Sequence, residues 1–211
     1  IKTLQNREDP WSRLNQNPVK TATRMGNRGV LHNKSQQIVL PWKLKAWISC
    51  VLSFKGNTRK IFSEGRYSEL FFLDEATAFS AGHRPCAECQ RERSNQFKIA
   101  WVNANASGQK FKLSDIDQQL HLERINSAHE KVTFQTTLAE LPIGTCFEWH
   151  DQAVMIVANQ LYQTWSFTGY QTTIEFDSTT MVKVLTPISL VNAFRHGFTP
   201  KFHPTAQSLE H

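Results

Sequence analysis

The chain has 211 residues, 40% of them hydrophobic, with six Trp and fourteen Phe, which is enough apolar mass to bury an ordinary core without disulfide staples. Charged residues make up 20% and carry both signs, which excludes a disordered composition, and the longest apolar candidate, 146–165, is too broken by charges and amides for a membrane span. The charge is uneven: residues 1–100 hold 17 Lys+Arg against 8 Asp+Glu, and residues 101–211 hold 7 against 10, giving +9 and −3 within the total of +6.

Taken in chain order, residues 1–41 are polar and rich in Asn, Gln and Arg, and they read as an N-terminal arm with one short helix near Trp11 to Leu14. Within them Met25-Gly26-Asn27-Arg28-Gly29-Val30-Leu31-His32 implies a tight bend that could approach a phosphate or another chain, a plain surface loop being the alternative. The absence of an apolar signal core at the start places the protein in the cytoplasm as an expectation.

Residues 42–104 form the expected metal-binding unit. Leu44 to Phe54 reads as a strand, Lys55-Gly56-Asn57 as a turn and Arg59 to Phe62 as the returning strand of a basic β-hairpin. Tyr67 to Leu73 is extended, Asp74 caps a short helix 75–81, and Gly82 ends it in the left-handed conformation. Pro85 suits the first position of a helix running to about Trp101, which would put Cys86 and Cys89 in its first turn, where the helix field favours thiolate.

Residues 105–135 read as a helical connector, with a helix from Asp115 to about Ala128 capped by Ser114. Residues 136–208 change to a β pattern: strands 145–149, 153–158 and 161–167 form an antiparallel meander, 181–185 adds a strand, and 187–196 a C-terminal helix. Leu209-Glu210-His211 resembles the scar of an expression tag. The fold class expected is therefore α+β, a basic hairpin plus helices around a Cys-x-x-Cys site followed by the meander. One sequence, A-F-x-x-G-x-x-P, occurs twice, at 78–85 and 193–200.

Four cysteines occur, Cys50, Cys86, Cys89 and Cys146. In a cytoplasmic chain of this size metal binding explains the close pair better than a disulfide does. The surrounding sequence, SAGHRPCAECQRER, and more widely 67–93, resembles the second half of the zinc-binding N-terminal domain of the Ada DNA-repair proteins. The chain as a whole also resembles a bacterial family without an assigned activity. The Ada resemblance implies zinc held by Cys86 and Cys89 on a unit that contacts DNA. It does not carry over that family's methyl-accepting cysteine, because the family's first pair is Cys-x-x-x-Cys and this chain offers only Cys50 there.

A structural zinc site takes four N or S ligands. Cys50, on the expected hairpin strand, is the natural third ligand, a small buried core residue being its alternative role. His32 is the choice for the fourth, because it ends the glycine-bounded segment just upstream. His83 stands where the resembled family has an aromatic residue and is expected to pack. Cys146 and His150 share one strand and form a lesser alternative. Lys43, Lys45, Lys55, Arg59, Lys60, Arg66, Arg84, Arg91 and Arg93, interleaved with Trp42, Trp47 and Tyr67, are the candidate contacts to nucleic acid, cations for phosphates and aromatics for bases. The expected partner is thus DNA or another nucleic acid. Two other classes stay open: a metal-dependent enzyme using an activated cysteine or water, and a zinc-stapled protein-interaction module.

Overall fold

The computed structural model of the protein describes residues 3–56, 60–107 and 109–206. Two six-stranded sheets and four α-helices make it an α+β fold. The first sheet is mixed and contains β1 (Gln5–Glu8), β2 (Leu14–Gln16), β3 (Arg24–Asn27), β4 (Ile48–Cys50), β5 (Leu70–Phe72) and β6 (Arg84–Pro85), in the spatial order β2-β1-β5-β3-β4-β6. Three of its strands come from the segment read as a polar arm, and Trp11 to Leu14 holds no helix. These strands carry few apolar residues because several of their buried positions are polar, Asn6, Arg7 and Glu8 among them.

The expected basic hairpin does not form. β4 stops at Cys50 and pairs with β3 on one side, antiparallel, and with β6 on the other, parallel; residues 60–62 form no strand, and Asn57 and Arg59 lie outside the described residues. The glycine-bounded bend is also not a surface loop. Gly26 belongs to β3 opposite Ser49, and a Cβ there would stand 2.1 Å from the Ile48 carbonyl oxygen, so the close approach it permits is to a neighbouring strand.

Helix α1 (Glu75–Ser80) is capped as its sequence predicts: Asp74 Oδ1 accepts from the Thr77 amide at 2.8 Å. Helix α2 (Arg91–Asn105) begins later than expected, and Pro85 lies in β6 instead of opening it. Helix α3 (Leu113–Arg124) starts with Asp115 Oδ2 accepting from the Lys112 amide at 2.8 Å. The second sheet is antiparallel throughout, β7 (Phe134–Thr137), β8 (Cys146–Trp149), β9 (Gln152–Ala158), β10 (Leu161–Ser166), β11 (Gly169–Ile174) and β12 (Met181–Val184), ordered β11-β10-β9-β8-β12-β7. Along β9 the side chains divide by period two: Ala153, Met155 and Val157 join one core cluster, Val154 and Ile156 another. This sheet is buried on both faces at its centre, which is why the segment reads as a continuous apolar run.

Helix α4 (Ile188–Arg195) packs Leu190, Ala193 and Phe194 into the cluster formed by Phe79, Phe97, Trp101, Ile116 and Leu120. The two copies of A-F-x-x-G-x-x-P meet in this cluster, with Phe79 and Phe194 edge to face at 5.4 Å. Each ends its helix by one arrangement: His83 N donates to Ala78 O at 2.9 Å and Phe198 N to Ala193 O at 3.2 Å, around Gly82 (φ +87°) and Gly197 (φ +92°). Their surroundings differ. A Cβ at Gly82 would lie 2.5 Å from Arg124 Cδ, whereas at Gly197 it would meet nothing within 4 Å. Gly197→Ala should therefore cost about 1 kcal/mol in urea unfolding and Gly82→Ala about 2–4 kcal/mol; equal losses would contradict this packing.

Candidate metal centre

Parallel pairing of β4 with β6 matches Ile48 to Arg84 and Ser49 to Pro85, so the next residues along, Cys50 and Cys86, arrive side by side. The Cys86 amide donates to Ser49 O at 2.8 Å, and Gln90 Nε2 donates to the same carbonyl at 2.8 Å. These two bonds fold the stretch between β6 and α2 back over the end of β4. Cys89 is thereby turned toward the other two. The sulfurs of Cys50, Cys86 and Cys89 all lie within 4.8 Å of one another, and none of the three is in a disulfide.

This differs in one respect from the expected geometry. Cys86 and Cys89 sit in a turn before the helix, not in its first turn, so the positive potential on them comes from individual amides. The Glu88 amide donates to Cys86 Sγ at 3.4 Å. Hydrogen bonding from the Cys50 thiol, joined by the Cys89 and Glu88 amides, outweighs burial and brings the Cys86 thiol down to about 5. Cys50 moves up, because its proton is engaged by Cys86 and because it is buried. Burial raises Cys89. One thiolate flanked by two thiols is ready to exchange its protons for a cation.

Three thiol ligands suit a soft, tetrahedral metal. Thiolates on zinc sit at about 2.3 Å, which puts their sulfurs about 3.8 Å apart, and the observed cluster needs little movement to reach that. Three close cysteines could hold a metal ion. Among the described residues no His, Asp or Glu joins them within the same span.

His32 is not brought to the cluster. Its Nδ1 meets Ser68 Oγ at 2.7 Å, its Nε2 faces Ser63 O at 3.3 Å, and its ring stacks on Phe62 with centroids 4.5 Å apart. His83 packs as expected, fully buried between Trp47 and Phe72, with its nitrogens 3.1 Å from Ile48 O and 3.2 Å from Glu8. Cys146 is a core residue of β8, its thiol pushed up to about 12, chiefly by burial. His150 is an exposed turn residue: with Asp151 it makes the two-residue connection from β8 to β9, both at positive φ.

Compared with protein-family models, curated proteins and solved structures, the chain matches none.

The nine cations proposed from sequence divide sharply. Arg84 is buried and holds Asp117 through two bonds, 2.8 and 2.7 Å. Arg93 grips Glu75 at 3.0 and 2.6 Å and donates to Thr199 O at 2.7 Å. Neither can reach a phosphate without breaking a largely desolvated ion pair. Lys43, Lys45, Lys55, Lys60, Arg66 and Arg91 are exposed, and Arg59 lies outside the described residues. Lys45 also donates to Gln118 Oε1 at 2.7 Å. Of the aromatics, Trp47 is a core residue with the Arg28 and Arg124 guanidinium carbons 4.2 and 4.0 Å from its ring centroid; Tyr67 is 38% exposed and Trp42 half-buried beside His121.

Asp117, which sequence inspection passed over, fixes Arg84 and hence β6. Its only signal is an acid placed between the apolar helix positions Ile116 and Leu120. In the metal-free protein, ultraviolet thiolate absorbance should titrate with one group near pH 5, protonated below that pH and ionised above it. Cys86→Ser should remove this step while Cys146→Ser leaves it, and a first step near the ordinary thiol value would refute the arrangement.

Proposed function

We propose that the chain is a zinc protein in which Cys50, Cys86 and Cys89 hold the ion and the exposed cations around that centre contact nucleic-acid phosphates. The convergence of three thiols from two separate segments carries the metal part of the reading. Zinc fits the donor set because it favours thiolates in tetrahedral geometry and has no redox chemistry to damage them. Bound there it would tie the end of β4 to the turn before α2.

The nucleic-acid part rests on the uneven charge and on Lys43, Lys45, Lys55, Lys60, Arg66 and Arg91 standing exposed on the segments adjoining the cysteines. The local likeness of 67–93 to the Ada zinc domain points the same way. The missing second upstream cysteine argues against methyl transfer by that family's route. A second reading, a metal-dependent enzyme, is favoured by the ligand count among the described residues, because three protein ligands leave a coordination position for water or substrate.

X-ray absorption of the zinc-loaded chain should show sulfur scatterers at about 2.3 Å, and Cys89→Ser should lose stoichiometric zinc; a chain that takes up no zinc would defeat the metal part. Duplex DNA titrated at two salt concentrations should bind more weakly at the higher, and Lys43→Ala with Arg91→Ala should flatten the salt slope by about two. Affinity indifferent to salt or to that double variant would defeat the nucleic-acid part. An added small anion or thiol that enters the zinc shell would favour the enzyme.

A further inference from the structure

A cavity of about 590 Å³ opens beside β1 and β5, away from the ion pairs described above. Its walls are mainly apolar, with Leu4, Val19, Ile61, Phe71 and the half-exposed Leu52, and Asn6 and Asn17 supply neutral polar groups. The volume lies within the range of small-molecule sites, about 300–1,000 Å³. No Asp or Glu lines it, yet two cations do. Lys20 is exposed, whereas Arg7 is 4% exposed.

Of the other buried arginines, Arg124 also donates to two carbonyls, Gly82 O and Lys45 O, but it does not line the cavity, and Arg28 and Arg84 each face a carboxylate, of Glu8 and Asp117 respectively. Arg7 donates instead to two carbonyls, Val19 O and, at 3.4 Å, Phe167 O, and its Nε has no partner. Among the described residues no carboxylate pairs with it. Carbonyl oxygens satisfy N–H groups and the Phe167 ring lies 5.2 Å from the guanidinium carbon, but neither supplies a countercharge, and burial lowers the Arg7 pKa with no acid opposing it. A buried, unneutralised cation at an apolar cavity is the complement of an organic anion.

We propose that this cavity binds an organic acid, whose carboxylate or phosphate head pairs with Arg7 while its apolar body lies against Leu4, Val19 and Phe71. No cysteine lines the cavity, and the proposal holds whether or not those cysteines bind metal. Lys20, at solvent, adds attraction for the incoming anion. The apolar walls supply affinity, and the guanidinium selects the charged head.

Calorimetry of the full chain with decanoate, decyl phosphate, decanol and decyltrimethylammonium tests this. The two acids should saturate, decanol should bind about tenfold more weakly, and the cation should not bind. Stronger binding of decyl phosphate would assign a phosphate head, stronger binding of decanoate a carboxylate. Arg7→Met should bring the acids down to the level of decanol while leaving decanol unchanged. Should that variant not fold, Arg7→Lys should keep the preference for acids, and Leu52→Trp, at a half-exposed wall position, should weaken acids and decanol together. Decanol binding as tightly as decanoate, an unaltered acid preference in folded Arg7→Met, unchanged acid binding in Leu52→Trp, or no saturable binding of either acid would overturn the proposal.

Discussion

Glu8 is a carboxylate with no solvent exposure, and its partners decide how the first sheet is assembled. Arg28, just beyond β3, stands 3.4 Å away, and His83, just before β6, 3.2 Å away. Burial works against the charged form, but Arg28, His83 and Lys131 outweigh it and hold the Glu8 carboxyl below its usual range. The other nitrogen of His83 lies against the Ile48 carbonyl of β4. One charge thus links β1, β3, β4 and the approach to β6. Losing Glu8 would leave the Arg28 guanidinium buried without its carboxylate, which in proteins costs about 3–5 kcal/mol.

The cysteine cluster follows from that assembly. β6 has only two residues and could not hold its register by pairing alone, yet the position of Cys86 depends on it. Arg84 is therefore fixed three times, by its amide on Trp47 O at 3.0 Å, by its guanidinium on Asp117 and by the neighbouring His83 on Glu8. Arg124 adds a further restraint, donating to Gly82 O at 2.9 Å and Lys45 O at 2.6 Å. A metal site at the end of such a clamp starts from ordered ligands, so little chain entropy opposes binding.

Much of this could be read from the residues before the structure, and the failures share a cause. The meander 146–166, the strand 181–184 and helix α4 follow the sequence within a residue or two, because apolar period and turn residues are local signals. Asp74 and Gly82 behave as a cap and a stop for the same reason. Cys50 joins Cys86 and Cys89 as the sequence suggested, though through a parallel strand pair and not a hairpin. What was not legible depends on partners distant in the chain. The strands at 5–8, 14–16 and 24–27 look like a polar arm until Glu8 is seen against Arg28 and His83. Arg84 and Arg93 look like surface cations until Asp117 and Glu75 are placed beside them. His32 looks like a ligand until Ser68 and Ser63 occupy its nitrogens. No helix among the described residues is long and apolar enough to cross a membrane, which composition alone had indicated.

The meeting of Phe79 with Phe194 bears on how the chain can be made. The cluster around α1, α2 and α3 takes Leu190, Ala193, Phe194 and Phe198 from the far end of the sequence. During synthesis the cysteine-bearing half emerges well before those residues and cannot complete its apolar packing until they follow. Until then Phe97 and Trp101, both buried in the finished protein, stay without their final cover, an interval in which a chaperone, or an early-bound cation at the three thiols, would have most to protect.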